Sequence, residues 1–149
     1  MFSSKLTESM RTINQIIIHC SATPAGRDYT AADIDRWHRQ RGFSGIGYHY
    51  VIRLDGTIEH GRPVEQIGAH CKGHNATTIG VCYIGGLATD CKTPKDTRTE
   101  AQKAAMLTLV HSLQSAYHIP SSAIYGHREF ANKACPCFDV QQWIKDVGL

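Results

Sequence analysis

Two runs of β-branched and apolar residues constrain the fold of this chain more than any other feature. Residues 14–19 read NQIIIH and residues 79–84 read IGVCYI, with almost no polar alternation. Runs of this kind are typical of strands covered on both faces, as in a sheet that carries helices on either side. A third short strand is predicted at 123–127 (AIYGH). The pattern favours an α/β domain built around a central sheet.

A β-hairpin is predicted over residues 48–60. Alternation runs from Tyr48 to Leu54, Asp55-Gly56 supplies a turn with positive φ, and the segment TIEH returns. Because a hairpin pairs its strands antiparallel, the sheet is expected to be mixed rather than wholly parallel. The predicted fold class is therefore α/β, a central mixed β-sheet flanked by α-helices.

The first helix is predicted to follow a polar loop. Thr30 and Asp33 have the spacing of a capping box, and Ile34 and Trp37 then share one helix face. This helix is expected to end near Gly42, since glycine is favoured just beyond a helix C-terminus.

Two further helices are predicted in the second half of the chain. Thr97 and Glu100 suggest a capping box for a helix over about 98–117, which Pro120 ends. Asp139 is expected to cap a last helix with an apolar face. No repeat or linker divides the chain, so we expect one domain over 1–149, with a core at about 13–147 and an N-terminal extension at 1–12.

Composition excludes several functional classes. The 149 residues include 19% charged and 42% hydrophobic residues with a formal charge of +3, which is ordinary for a globular domain. There is no basic run, so a nucleic-acid partner is not expected. The first apolar cluster, Ile16 to Ile18, is too short for a signal-peptide core or a membrane span. A cytoplasmic protein as encoded, without stable membrane insertion, is the expectation.

The six cysteines do not form the pattern of a secreted disulfide framework. Cys135 and Cys137 are one residue apart, a spacing poorly suited to a mutual disulfide. Mostly free thiols are expected, with a Cys71–Cys91 bridge as the alternative.

Among nine histidines, two stand where α/β domains build sites. His19 lies at the carboxyl end of a buried strand, His127 lies at the end of another, and Cys135 follows in the next loop. Imidazoles and a thiolate are natural zinc ligands, and three of them leave a fourth position open for water. Spacing alone does not bring them together, and buried hydrogen-bonded histidines are the alternative interpretation.

Two other clusters compete for a metal. His70, Cys71 and His74 form an HCxxH arrangement, and Cys135 with Cys137 forms a CxC, but neither has the paired spacing of a structural zinc site. His70 is instead predicted to face a substrate groove, with Cys71 and His74 as loop residues.

The remaining histidines have plainer interpretations. His49 alternates with Tyr48, so the two are not expected to share a strand face. His38, His111 and His118 fall on helices or helix ends and are interpreted as surface residues.

Four blocks of sequence carry a family resemblance. IIIHCSAT, WHRQRGFSGIGYHYVIRLDGTIEHGR, GAHCKGHNATTIGVCYIGG and GHREFANKACPCFD occur in this order between Ile13 and Trp143. Together they resemble the type 2 N-acetylmuramoyl-L-alanine amidases, in the branch of T7 lysozyme-like phage amidases and peptidoglycan recognition proteins. The resemblance implies a mixed sheet flanked by helices, with one catalytic zinc in a groove on one face.

The resemblance also implies residue roles. His19, His127 and Cys135 match the zinc ligands of the family, and Tyr48 and Lys133 match its catalytic tyrosine and lysine. Two departures are visible. Arg128 stands where the T7-type protein has histidine, and Cys137 stands where it has serine. Neither is a ligand position in the family, so Cys135 is preferred over Cys137.

The function implied is zinc-dependent hydrolysis of the amide between the lactyl group of N-acetylmuramic acid and L-alanine, by a lysin of phage or prophage type. The expected partner is peptidoglycan or muropeptides, and the protein is expected to be a monomer. The alternatives are a non-catalytic peptidoglycan-binding module and a zinc-stabilised regulatory module on the same fold. A glycosidase would need two opposed carboxylates, for which Glu59, Glu65 and Glu129 are candidates in name only.

Overall fold

The computed structural model of the protein describes residues 11–149. The predicted N-terminal extension therefore lies outside the described residues, except for Arg11 and Thr12. The strands are β1 (Gln15–Cys20), β2 (Thr23–Pro24), β3 (Tyr50–Ile52), β4 (Ile58–His60), β5 (Thr78–Tyr83), β6 (Gly86–Leu87) and β7 (Ile124–Gly126). The α-helices are α1 (Ala31–Gln40), α2 (Glu100–Tyr117) and α3 (Val140–Val147).

Five strands form the central sheet in the order β4-β3-β5-β1-β7. β1 pairs in parallel with both β5 and β7, and β3 pairs in parallel with β5. Among these five described strands, β4 alone runs antiparallel to its neighbour, as the partner of β3 in the hairpin. The sheet is mixed, and the predicted fold class is confirmed. A small parallel pair, β2 with β6, was not predicted.

Helices cover both faces of the sheet, which explains why β1 and β5 are apolar along their length. Ile16 and Ile18 of β1 pack in one core cluster with Met106 of α2 and Trp143 of α3. A smaller cluster on the other face includes Ile34 of α1. Each fully buried isoleucine contributes about 1.5–3 kcal/mol relative to an exposed one. Since side chains alternate along a strand, His19 points to the face that α1 covers.

The hairpin forms as predicted between β3 and β4. Gly56 takes a φ of 88° in the turn, and a Cβ there would lie 2.9 Å from the Ala101 carbonyl oxygen of α2. Glycine is required at this position by both its backbone conformation and its close approach to the helix.

Helix starts follow the predicted chemistry at α1 and α3. The Thr30 hydroxyl accepts from Asp33 N, and Asp33 accepts from Thr30 N, which completes the first capping box. Asp139 caps α3 by accepting from Gln142 N at 3.1 Å.

The predicted box at the start of α2 is wrong by two residues. The N-cap is Thr99, which pairs with Gln102. Thr97 lies outside the helix because its hydroxyl accepts from Gly86 N at 2.8 Å.

All six cysteines are free, as expected, and the alternative Cys71–Cys91 bridge is not formed. Within residues 11–149, no helix combines the length and the apolar character that crossing a membrane requires.

Candidate metal centre and groove

Two histidines meet at the carboxyl edge of the parallel strands. The pairing of β1 with β7 sets Ile18 opposite Gly126, so the next residues along each strand, His19 and His127, are neighbours. Their ring centroids are 4.6 Å apart. A short 3-10 helix over His127–Glu129 begins where β7 ends and turns the chain toward the following loop.

Cys135 completes a cluster with these two histidines. One ligand atom from each of His19, His127 and Cys135 lies within 4.8 Å of the other two. The His19 atom on this side is Nδ1, which lies 3.9 Å from Cys135 Sγ. Two imidazole nitrogens and one thiol sulfur form a donor set that suits zinc. The residues therefore fit the metal that the sequence suggested.

The loop that carries Cys135 is held from several directions. Arg128 N donates to the Cys135 carbonyl oxygen at 2.7 Å, and the Tyr83 hydroxyl donates to the Pro136 carbonyl oxygen at 2.6 Å. Cys20 N donates to Cys135 Sγ at 3.2 Å. The peptide bond between Cys135 and Pro136 is cis. These contacts hold the Cys135 sulfur beside the His19 ring.

Cys137 is turned away from this cluster. Its sulfur lies 3.8 Å from Cys20 Sγ, in a second thiol pair beside the first site. The hydrogen bond to Cys20, with burial, raises the pKa of Cys137. The cluster of potential metal ligands found among residues 11–149 contains Cys135 and not Cys137.

His70 contacts the buried side of His19. Its Nδ1 lies 2.8 Å from His19 Nε2, and its Nε2 lies 3.1 Å from the Thr78 hydroxyl. Burial lowers the pKa of His70 to about 3 and that of His19 well below its ordinary value. Both rings are therefore neutral near pH 7. His70 was predicted to face a groove, and its ring does form part of the groove wall while both nitrogens contact protein groups.

The rest of the HCxxH segment is not part of the metal-ligand cluster found in the described residues. His74 stacks on Phe130 with ring centroids 4.1 Å apart, and Cys71 is buried. Both lie in a loop, as predicted. Asn75, which sequence reasoning missed, accepts from the backbone N of both His70 and Cys71 at 2.9 Å.

Tyr48 also lies beside His19, with ring centroids 5.0 Å apart. Burial raises the pKa of Tyr48 well above its ordinary value, so the residue presents a protonated phenol. His49 makes separate contacts, since its Nδ1 accepts from Gly80 N at 3.0 Å.

His38 is buried, and its interpretation as a surface residue is wrong. It is 7% exposed, its Nδ1 accepts from Gly47 N at 2.9 Å, and its ring lies 5.4 Å from that of Tyr48. The spacing of four residues from buried Ile34 places both on the inner face of α1 and could have indicated this. His111 and His118 are exposed, as predicted.

An open groove of about 600 Å³ runs past His127. A second cavity of about 260 Å³ shares Tyr48, His127 and Lys133 with it and reaches Cys135. Three cationic side chains line the larger groove, Arg41, Lys72 and Lys133, and none of its described lining residues is acidic. Such a surface attracts anionic ligands.

The carboxylates considered for a glycosidase do not line this groove. Glu129 accepts from Gly126 N at 2.7 Å, and Glu59 accepts from Ala31 N at 2.7 Å. Both carboxylates therefore stabilise the fold, and the described lining of the groove offers no opposed pair to flank a sugar bond.

The fold and the site define an α/β domain with a cluster of two histidines and one cysteine beside an open groove, and three nitrogen and sulfur ligands of this kind are typical of a catalytic zinc site. The chain belongs to the N-acetylmuramoyl-L-alanine amidase family, Amidase_2, whose sequence profile matches residues 9–138.

Individual relatives agree with this assignment. The chain is 42% identical to the endolysin of Enterobacteria phage K11 over 137 residues, which cover 91% of this chain and 88% of that protein. It resembles the N-acetylmuramoyl-L-alanine amidase LysC from Clostridium intestinale with a TM-score of 0.78 and 29% identity, over 95% of this chain and 88% of that one. It also resembles a mutant of Drosophila PGRP-LB in complex with tracheal cytotoxin, with a TM-score of 0.71 and 27% identity, over 85% and 76% of the two chains.

Proposed function

We propose that this protein is a zinc-dependent lysin of phage or prophage type. It hydrolyses the amide between the lactyl group of N-acetylmuramic acid and L-alanine in peptidoglycan. The observation that carries the proposal is the convergence of His19, His127 and Cys135 at the groove whose wall contains Tyr48 and Lys133. Family membership and the phage endolysin relatives support the same reaction.

In this proposal, His19, His127 and Cys135 hold one zinc ion. Bound there, zinc would supply Lewis acidity, which acidifies water and polarises a carbonyl group. The thiolate carries negative charge into the ligand set and moderates that acidity. Additional electrostatic stabilisation is then required from neighbouring side chains.

Lys133 is the side chain suited to this electrostatic role. It lines both cavities beside His127, and its charge, after burial, contributes to the lowered pKa of His127. A cation here would stabilise the negative charge that develops on the carbonyl oxygen as the amide is attacked.

Tyr48 complements Lys133 as a neutral hydrogen-bond donor. Tyr48 is partly buried between His19 and His38, and desolvation raises the pKa of its phenol well above the ordinary value, so the phenol stays protonated. We assign it a hydrogen bond to the attacking water or to the oxyanion, where a donor of fixed position stabilises the transition state.

The groove accounts for the proposed substrate class. Its three cations suit the carboxylates of a peptidoglycan stem peptide, and Phe43 and Phe130 offer apolar contact surface. The tracheal cytotoxin complex of a structural relative supports peptidoglycan fragments as ligands of this groove.

A peptidoglycan-binding module without activity is the alternative proposal, since several structural relatives are recognition proteins. Such a module would use the same groove. The full set of Cys135, Tyr48 and Lys133 favours the enzyme, because binding alone does not require an open metal site with an oxyanion partner.

Digestion of purified peptidoglycan by zinc-loaded protein tests the proposal. We expect new L-alanine amino termini without new reducing sugar ends, and loss of these products when a chelator is added. Cys135→Ser should abolish zinc retention and product together. Cys137→Ser is the matched control, because that sulfur faces Cys20, and it should retain both. Bound peptidoglycan without released amino termini would indicate the binding module instead.

A further inference from the structure

The hydrogen bonds around His70 have only one consistent direction. The Thr78 hydroxyl lies 2.7 Å from the His74 carbonyl oxygen, which can only accept, so Thr78 donates its single proton there. The Thr78 oxygen is then left as an acceptor for His70 Nε2–H, at 3.1 Å. A neutral imidazole with a proton on Nε2 has a lone pair on Nδ1.

The direction continues from His70 to His19. Since His70 Nδ1 accepts, His19 Nε2 must carry the proton of the 2.8 Å bond between them. The remaining nitrogen of His19, Nδ1, then has a free lone pair. That nitrogen faces Cys135 Sγ at 3.9 Å, inside the proposed metal centre.

Packing prevents the His70 ring from leaving this arrangement. A Cβ at Gly80 or at Gly68 would lie 2.7 Å from atoms of the ring, so both glycines are needed to seat it against β5. The Asn75 side chain fixes the backbone of His70 from the other side. His70 is also only 8% exposed. A ring held this closely is suited to orienting a neighbour.

We propose that Thr78 and His70 are positioning residues that fix His19 as its Nε2–H tautomer, so that Nδ1 is presented to the metal as a lone pair. This rests on the proposed zinc site and extends it by two residues that do not touch the metal. Hydrogen bonds that fix the tautomer and orientation of a ligand histidine raise metal affinity.

Without the Thr78 hydroxyl, nothing would fix which nitrogen of His70 carries the proton, and the hydrogen bond between His70 and His19 could run in either direction. His70 could then carry its proton on Nδ1 and donate it to His19 Nε2. His19 would in turn carry its proton on Nδ1, where it blocks the ligand position. Before zinc could bind, both histidines would have to return to their Nε2–H tautomers. The free energy of that change would lower the zinc affinity.

The first test is a direct measurement on the metal-free wild-type protein. A long-range proton–nitrogen NMR correlation spectrum distinguishes the two tautomers of each histidine. We expect His19 and His70 both to be protonated on Nε2 near pH 7. A proton on His19 Nδ1 in the folded protein would overturn the proposal, and this measurement needs neither zinc nor activity.

The second test compares Thr78→Val with Thr78→Ser, which removes and retains the hydroxyl respectively. Thr78→Val should lose at least about ten-fold in zinc affinity, measured by chelator competition, and should populate the Nδ1–H form of His19. Thr78→Ser should stay close to wild type in both. Folded Thr78→Val with unchanged affinity and tautomer contradicts the proposal.

Activity measurements separate positioning from substrate contact. If His70 only bound substrate, His70→Gln would raise KM and leave zinc affinity intact, an outcome that overturns the positioning role. We expect zinc affinity and kcat to fall together. Failure of the wild-type protein to bind zinc would refute the proposed function, whereas the tautomers of His19 and His70 would still be decided by the NMR spectrum.

Discussion

At the scale of single residues, Lys133 offers the sharpest test of the proposed chemistry. Lys133→Ala removes the cation beside His127 without removing a proposed ligand. We expect zinc to be retained while kcat falls by about 10²–10³-fold, as for the loss of one oxyanion donor. Turnover of peptidoglycan and zinc content would be measured on the same preparation.

Lys145→Ala provides the matched control for this substitution. Lys145 is an exposed lysine on α3 and lines neither cavity. The Lys145→Ala substitution should leave both zinc content and turnover unchanged. Equal turnover of the Lys133→Ala and Lys145→Ala proteins would remove Lys133 from the mechanism.

Residue types indicated the three residues of the candidate metal cluster, but gave little information about its surroundings. Histidine at a strand end and cysteine in the next loop suggested zinc, because few side chains supply nitrogen and sulfur ligands. Thr78 was not predicted, because a threonine inside an apolar strand gives no local sign of its hydrogen-bond partner. His38 was misjudged because its position on a helix was weighed without the four-residue spacing to Ile34.

At the scale of secondary-structure elements, the start of α2 can be tested by substitution. Thr99 accepts from Gln102 N at 3.0 Å, and its hydroxyl donates to the Leu54 carbonyl oxygen at 2.6 Å. Thr99→Ala should therefore lower the free energy of unfolding by about 1–2 kcal/mol. Chemical denaturation at pH 7 measures the change.

Thr108→Ala is the control for this prediction. Thr108 is exposed in the middle of α2, where alanine has the higher helix propensity. The free energy of unfolding of the Thr108→Ala protein should be unchanged or slightly increased. A loss of stability at Thr108→Ala as large as that at Thr99→Ala would show that capping is not the cause.

Elements were more predictable than their ends. The apolar runs of β1 and β5 and the Asp55-Gly56 turn predicted their elements because burial and turn geometry leave strong local patterns. The start of α2 was placed two residues early, at Thr97 with Glu100, although Thr99 with Gln102 has the same spacing. Contacts with Gly86 and Leu54, distant in sequence, decide between them.

At the scale of the whole molecule, strand order was the step that local sequence could not supply. His19 and His127 are 108 residues apart (127 minus 19), and they meet because β7 pairs with β1. Strand pairing depends on the packing of all the helices and strands together. The family resemblance supplied this pairing, whereas spacing left the two histidines unconnected.

His49 connects three distant segments, so its titration is expected to affect the stability of the whole molecule. Its Nδ1 accepts from Gly80 N, and its Nε2 lies 2.9 Å from the Gln66 carbonyl oxygen. The Nη2 atom of Arg11 lies 3.2 Å from the same Nε2. Protonation of His49 Nδ1 would place its N–H against the N–H of Gly80, so that two donors face each other. It would also add a positive charge beside the Arg11 cation. The pKa of His49 is lowered from 6.5, the value of a solvated ring, to about 4, and burial of the ring is the main cause.

The lowered pKa fixes the sign of the pH dependence. Between pH 6.5 and 4 the unfolded chain binds a proton at His49 that the folded protein does not, so stability falls as the pH falls. At about 1.4 kcal/mol per pKa unit, the loss attributable to His49 is on the order of 3 kcal/mol. The stabilising contribution is fully present above pH 6.5.

Measurement of unfolding free energies at pH 7 and pH 4, for metal-free wild type and His49→Asn, isolates this contribution. Asparagine does not titrate, and its side-chain oxygen can still accept from Gly80 N. The other histidines titrate in both proteins, so their effects cancel in the difference. We expect wild type to exceed His49→Asn in stability at pH 7 by about 3 kcal/mol more than at pH 4. The exposed control His118→Asn should differ from wild type by the same amount at pH 7 and pH 4, and parallel pH profiles for wild type and His49→Asn would refute the prediction.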